Sequence, residues 1–274
     1  MGSICYNFEH DTAVITGAAT GIGRGTAVAF AKAGANVAIC DFNEEKGRET
    51  AQLCRDAGAK IANFYQVDVT SSEQFAAARD AILKDYGTVD ILFSNAGIAQ
   101  NALGTPTALD MVEWNKLFSV NVFGMIRACQ TFAPIMMEKK AGKIVLTASI
   151  AAYMPSDILP AYSSSKAACI NYAQSLSLEL GAYNINVNVL NPGYVYTPIY
   201  SEGGAMKIRE ANTAALGRFQ TGEEVLNAIA MSNSSMHRPQ TVEDMANTVL
   251  FLCSQQAKEL TGQVLNVDSG VIRR

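Results

Sequence analysis

The stretch TAVITGAATGIGRG, residues 12–25, decides the fold. Its first five residues read as a buried strand, and the small and apolar residues from Ile22 onward read as a helix. Between the two, Gly17, Gly21 and Gly23 stand where the backbone must turn sharply and then let an anion approach the start of the helix. Free N–H groups and the helix dipole make such an end a phosphate site. The spacing is G-x3-G-x-G, not the commoner G-x-G-x-x-G. One glycine in a tight strand-to-helix turn is ordinary. Three of them after the first strand of an alternating pattern favour phosphate binding over a turn alone.

The alternation continues to the end of the chain. Apolar runs at 36–40, 61–67, 89–93, 143–148, 185–190 and 263–267 follow the first, and helical patterns at 22–33, 44–57, 72–86, 111–139 and 162–180 lie between them. Short strands alternating with helices of ten or more residues predict a parallel sheet covered on both faces. Right-handed crossovers then give a Rossmann-like, doubly wound, three-layer α/β/α fold, with ligands at the carboxyl ends of the strands. One domain over 1–274 is expected. The segment 192–240 breaks the rhythm with Pro192, Pro198, Gly203, Gly204, Gly217 and Gly222. An insertion of that length is expected to be a substrate-binding lid, with a partner-contacting excursion as the other reading.

Composition narrows the partners. With 49% hydrophobic and 17% charged residues over 274 positions, the chain can bury a large core. A net charge of −4 without blocks of like charge argues against nucleic acid or an anionic membrane. Six scattered cysteines without a CxxC, and only His10 and His237, leave no plausible metal site. The N-terminus MGSICYNFEHD lacks the apolar core of a signal, and no run reaches the 18 or so apolar residues of a membrane span. A cytoplasmic protein of a reducing compartment is expected.

Two further features carry chemistry. Asp41 closes the second strand run, eighteen positions beyond Gly23. A carboxylate there can accept from both ribose hydroxyls of an adenosine and would repel a 2′-phosphate, which favours NAD over NADP. Arg24 and Lys46 are the nearest cations that could oppose this, and capping of the helix near Asn43 is the plainer role for Asp41. Farther on, AYSSSK (161–166) puts Tyr162 and Lys166 four apart on one helix face, with Ser149 just after a strand thirteen residues earlier. Taken singly, Ser149 is a loop hydroxyl, Lys166 a solvated helix charge and Tyr162 a half-buried aromatic.

Taken together these pieces resemble the short-chain dehydrogenase/reductase family, in its compact, non-extended form, over essentially the whole chain. The matching residues are Thr16-Gly17-x3-Gly21-x-Gly23, Asp68 after the third strand, and Asn95-Ala96-Gly97 after the fourth. They continue with Asn121, Ser149, Tyr162-x3-Lys166, and Pro192-Gly193 with Thr197. The family has seven parallel strands, the number of runs counted above. Ser94 in place of a first asparagine, and Ser269 in NVDSG where the family commonly has glycine, are small departures.

The resemblance implies roles. The turn from Gly17 through Thr20, Gly21, Ile22 and Gly23 would hold the pyrophosphate. Asp68 and Val69 would hold the adenine, although Asp68 could equally serve a Thr70–Glu73 capping box. Asn95, Ala96, Gly97, Pro192, Gly193, Val195 and Thr197 would complete the cofactor groove. Tyr162 would be the general acid/base, Ser149 would bond the substrate oxygen, and Lys166 would hold the nicotinamide ribose and favour the phenolate. Asn121 would interrupt its helix and hold a water that relays the proton through Lys166. Without the family, a buried helix asparagine satisfied by backbone is the plainer reading. A phenol of pKa about 10 needs roughly 4 kcal/mol to ionise near pH 7. A cation about 4 Å away supplies on the order of 4 kcal/mol at an effective dielectric near 20.

The activity implied is NAD-dependent interconversion of a secondary alcohol and a ketone. The apolar, aromatic and methionine-rich character of 192–240, with Met154 and Leu159 before Tyr162 and Tyr194 and Tyr200 after it, suits a bulky hydrophobic substrate: steroid-like, terpenoid or aromatic. Alternatives are a polyol or sugar dehydrogenase of the same family, a cofactor-retaining epimerase or dehydratase, and a non-catalytic dinucleotide sensor. A serine hydrolase is poorly supported, as there is no G-x-S-x-G. A homo-oligomer, tetramer or dimer, is implied by resemblance only.

Overall fold

The computed structural model describes residues 4–200 and 205–273; Gly203 and Gly204 of the expected lid, and the first three residues of the N-terminal reading, lie outside them. Seven strands form one parallel sheet: β1 (Thr12–Thr16), β2 (Asn36–Asp41), β3 (Ala62–Gln66), β4 (Ile91–Ser94), β5 (Gly142–Thr147), β6 (Ile185–Pro192) and β7 (Val264–Val267). Their order is β3-β2-β1-β4-β5-β6-β7, and every pairing is parallel. The chain winds outward from β1 in one direction and from β4 in the other. Between those two carboxyl ends no crossover covers the sheet, and a crevice opens there.

The continuous apolar strands follow from burial on both faces. In β1, Val14 packs into one core and Ala13 and Ile15 into the other; in β2, Ala38 and Cys40 divide from Val37 and Ile39 in the same way. On the first face lie α3 (Ser72–Tyr86), α5 (Gly124–Lys139) and α6 (Pro160–Leu180). On the second lie α1 (Gly21–Lys32), α2 (Glu44–Asp56) and α10 (Val242–Cys253). Gly47 on α2 is needed for close approach, because a Cβ there would sit 2.2 Å from the Phe64 ring of β3.

Two expectations are corrected. The pattern at 111–139 is not one helix: α4 (Met111–Leu117) passes into a π-helical segment at Phe118–Phe123 before α5 begins, around Asn121, where the resemblance implied an interruption. Apolar periodicity does not register one wide turn, so the break is invisible to it. The turn before α3 is capped by Ser71, whose hydroxyl accepts from Gln74 N at 3.2 Å, and not by a Thr70–Glu73 box. The serine at 269 has φ +56, which explains why glycine suits this position. Its hydroxyl accepts from Gln240 Nε2 at 2.8 Å.

Among the described residues, the segment 192–240 includes α7 (Ala205–Ala211), α8 (Thr213–Leu216) and α9 (Gly222–Asn233). Among the described residues no helix is long and apolar enough to cross a membrane.

Five of the cysteines are buried and Cys5 is exposed. Burial pushes the thiols of Cys40, Cys54 and Cys129 up to about 12. Disulfide-exchange titration of the native protein at pH 8 should therefore detect one fast thiol per chain, and six after denaturation. A second thiol reacting as fast as the first would contradict this packing.

Candidate functional site

The crevice is a cleft of about 570 Å³ that runs from Asp41 and Asp68 at one end to Ser149, Tyr162 and Tyr200 at the other. Its floor is the glycine turn. Gly17 and Gly21 have φ +65 and +54, conformations that side chains resist. A Cβ on Gly17 would stand 2.7 Å from Ala96 Cα, and one on Gly23 would stand 2.1 Å from Gly17 O. Thr20, the N-cap of α1, is extended and its side chain caps nothing. The first N–H groups of α1 are thus left for an anion.

The carboxyl ends of three strands are knitted beside this turn. Thr16 Oγ1 accepts from the N–H groups of Asn95 and Ala96 at 3.1 and 3.2 Å. Asn95 Nδ2 donates to Gly17 O at 3.1 Å, and its Oδ1 accepts from Thr147 Oγ1 at 3.3 Å. Ser94, the departure from the family, is buried at the end of β4.

Asp41 is buried yet lines the cleft. Its Oδ2 accepts from Ala19 N at 2.9 Å and its Oδ1 from Asn43 N at 3.0 Å. Helix α2 is capped by Asn43, which accepts from Lys46 N at 3.0 Å. Asp41 thus braces both walls of this end of the cleft, and two of its four or so lone-pair positions stay open. The guanidinium of Arg24 is turned away, donating to Ala19 O at 2.8 Å and pairing with Glu49 at 2.9 Å. Asp68 Oδ1 accepts from the N–H and hydroxyl of Thr70 at 2.8 and 2.7 Å. Val69 packs on Gly124, where a Cβ would approach Val69 Cγ2 to 2.7 Å.

At the other end, Lys166 is 4% exposed; its Nζ donates to Thr147 O at 3.1 Å and lies 5.8 Å from the Tyr162 ring centroid. Ser149 is half-buried and its Oγ accepts from Ala151 N at 3.2 Å. Gly97 lies against this group: a Cβ there would be 3.4 Å from Lys166 Nζ and 3.2 Å from Asn121 Oδ1. Asn121 is fully buried in the π-helical segment. Its side chain brackets Ile98, accepting from Ile98 N at 2.8 Å and donating to Ile98 O at 3.1 Å. Its own carbonyl accepts from Cys169 Sγ at 3.3 Å. The asparagine amide is therefore satisfied largely by backbone.

The segment after β6 lies over the glycine turn. A Cβ on Gly21 would lie 3.4 Å from the Thr197 side chain, and Val195 bridges to Gln240. Pro192, Gly193, Val195 and Thr197 line the cleft with Thr20, Ile22 and Gly97. Gly23 and Asn121 do not line it; both support it from behind. Of the residues expected to meet substrate, Ser149, Tyr162 and Tyr200 line the cleft, whereas Met154, Leu159 and Tyr194 are outside that lining. Tyr194 packs with Ile150, Leu226 and Ala230, and its hydroxyl accepts from Asn233 Nδ2 at 3.3 Å. Burial pushes the Tyr200 phenol up, with Tyr162 and Tyr194 adding to the shift. Among the described residues no cluster of three or more potential metal ligands occurs.

Lys207 and Gln100 are among the lining residues that escape sequence reading. Lys207 of α7 donates to Asn101 O at 2.7 Å, and Gln100 is buried in the same loop. Both partners lie far away in sequence, so no local spacing signals them.

The glycine cradle, the buried carboxylate and the buried lysine fit an extended dinucleotide. A family model described as short chain dehydrogenase matches residues 11–207. The chain is 32% identical over 272 residues to a 3-oxoacyl-(acyl-carrier-protein) reductase FabG of Chlamydia muridarum, covering 99% of this chain and 100% of that protein. It is also 32% identical over 272 residues to secoisolariciresinol dehydrogenase of Forsythia intermedia, covering 98% and 92%. The solved structure of a 7 alpha-hydroxysteroid dehydrogenase complexed with NADH and 7-oxo glycochenodeoxycholic acid matches with TM-score 0.83 at 30% identity, covering 98% of this chain and 97% of that one.

Proposed function

Since this chain belongs to the short-chain dehydrogenase family, a family of oxidoreductases that bind nicotinamide dinucleotides, we propose that it interconverts a secondary alcohol and a ketone using NAD. The observation that carries this is a single cleft lined by the glycine turn, Ser149, Tyr162 and Lys166. When bound, the nicotinamide ring accepts or donates the hydride. Tyr162 removes the hydroxyl proton during oxidation and returns it during reduction. Ser149 bonds the substrate oxygen. Lys166 spends one ammonium hydrogen on Thr147 O, which leaves two for the nicotinamide ribose. Asn121 holds the loop at Ile98 against the lysine and offers its backbone carbonyl to a relaying water, in competition with the Cys169 thiol.

Asp41 supports NAD over NADP. Its open lone pairs can accept from ribose hydroxyls, whereas a 2′-phosphate would meet a buried carboxylate. Arg24 is held by Glu49, leaving Lys46 as the cation at that rim. The cleft also carries Ile98, Ala99, Val120, Pro198, Ile199 and Tyr200 among its walls, an apolar set that suits a bulky hydrophobic alcohol. The same reading makes the protein a cytoplasmic homo-oligomer. Exposed Met111, Val112 and Phe123 around α4 supply an apolar surface for a second copy.

A panel of alcohols, followed by NADH and NADPH absorbance, tests the reading. Steroid-like, terpenoid or aromatic secondary alcohols should exceed polyols in kcat/KM by about tenfold or more, from the apolar area they bury. NAD should exceed NADP by about tenfold or more, because like charges brought together cost several kcal/mol. Faster polyols would overturn the substrate class, and an NADP preference would overturn the role of Asp41.

A further inference from the structure

Gln100, in the loop after β4, is 3% exposed although it lines the cleft. Its Oε1 accepts from the N–H groups of Ala161 and Tyr162 at 3.1 and 3.2 Å. Its Nε2 donates to the carbonyls of Ala102 and Ile158 at 2.7 and 3.2 Å. A primary amide has two N–H groups and two lone pairs. All four are spent on backbone, so nothing polar is left for substrate or cofactor.

The two N–H groups are those that a helix N-cap normally satisfies. Helix α6 begins at Pro160, which has no N–H, and its N-cap residue Leu159 offers no side-chain acceptor. That leaves Ala161 and Tyr162, the second and third helical positions, whose N–H groups an N-cap oxygen would take. Gln100 takes both from 61 and 62 residues away in sequence. One of them is the backbone of Tyr162 itself.

The loop that presents Gln100 is held at several points. Asn121 binds both the N–H and the carbonyl of Ile98. Glu113 Oε1 accepts from the N–H groups of Asn101 and Ala102. Gln100 therefore ties the start of α6 to an anchored loop instead of to solvent.

We propose that Gln100 is the positioning residue of Tyr162. As a cap supplied by a distant loop, it fixes the first turn of α6, and with it the place of the phenol beside Ser149 and Lys166. This rests on the reading of Tyr162 as the proton-transfer group. Displacements of about 1 Å in such a group can cost on the order of 100-fold in rate.

The test compares Gln100→Leu, Gln100→Glu and Tyr162→Phe with the parent enzyme, using the fastest alcohol of the panel and NADH titrations. Gln100→Leu should lower kcat by about 10- to 100-fold while NADH affinity and the KM for NAD stay within about twofold. Gln100→Glu keeps both acceptors but sets a carboxylate against two carbonyls, so it should recover part of the lost kcat. If Gln100→Leu does not fold, Gln100→Asn, too short to reach both N–H groups, should give the same kcat loss at unchanged NADH affinity. A Gln100→Glu enzyme no faster than Gln100→Leu, or a rise in KM at constant kcat, would overturn the proposal. Wild-type kcat in Gln100→Leu beside an inactive Tyr162→Phe would overturn it while leaving the relay intact. Wild-type kcat in Tyr162→Phe would overturn the relay and this proposal together.

Discussion

Replacing Tyr162 by Phe is expected to lower kcat by ~10³-fold while NADH still binds with near-parent affinity. The substitution deletes one oxygen from a half-buried side chain. Among the described residues that hydroxyl makes no hydrogen bond, so its loss strands no protein donor or acceptor. The ring stays in place beneath Lys166, and Lys166 keeps its bond to Thr147 O. What disappears is the group able to exchange a proton with the substrate oxygen. Ser149 cannot replace it, because a serine hydroxyl without an adjacent base does not ionise near neutral pH. Steady-state turnover and fluorescence titration with NADH check both halves. Turnover within a few-fold of the parent would end the proton-transfer assignment.

Replacing Gly23 by Ala is expected to damage the cofactor end instead. The new methyl would fall 2.1 Å from Gly17 O and 2.8 Å from Asn95 Nδ2. Neither obstacle can yield cheaply. Gly17 O is backbone and accepts from Asn95 Nδ2, which in turn links the ends of β1, β4 and β5. The start of α1 must therefore move away from the turn. Overpacking of this kind costs about 1–3 kcal/mol, which for a chain of this size lowers Tm by several degrees at roughly 2–4 °C per kcal/mol. The same displacement carries the first N–H groups of α1 off a bound pyrophosphate, so NAD affinity should fall by about tenfold or more. Gly181→Ala is the control, since a Cβ there meets nothing within 4 Å. Thermal melts with and without NAD, together with a Kd, decide the matter. An unchanged Kd in Gly23→Ala would mean that the turn does not hold phosphate.

Much of the architecture was legible because its causes are local. The first strand, the glycine turn and α1 are contiguous, and each announces itself by residue type. Tyr162 and Lys166 share a face because a helix repeats every 3.6 residues, and the helix is evident from its own pattern. Burial on both faces is written in strands that stay apolar instead of alternating. The π-helical segment at Phe118–Phe123 was not readable in this way; only the resemblance at Asn121 marked it. The segment 192–240 was visible only as an interruption, and its aromatic residues divide between roles that composition cannot separate. Tyr200 faces the cleft, while Tyr194 is packed beneath it against Leu226 and Ala230.

Asp41 shows the boundary within one residue. Its position at the end of β2, and its charge, were available from the chain. That one oxygen would already hold the N–H of Ala19 depends on how two loops meet, whereas the Asn43 N–H on the other is a local turn two residues on. Gln100 lies wholly on the far side of that boundary. The sequence by itself determined the parallel sheet, the glycine turn and the spacing of Tyr162 and Lys166, because hydrophobic period, glycine conformation and helix pitch act between neighbours. Only the tertiary structure decided that Gln100 caps the helix carrying Tyr162, that Glu49 draws Arg24 away from Asp41, and that Asn121 grips Ile98. Those bonds join residues many positions apart, and their partners exist only once the sheet has brought its carboxyl ends together.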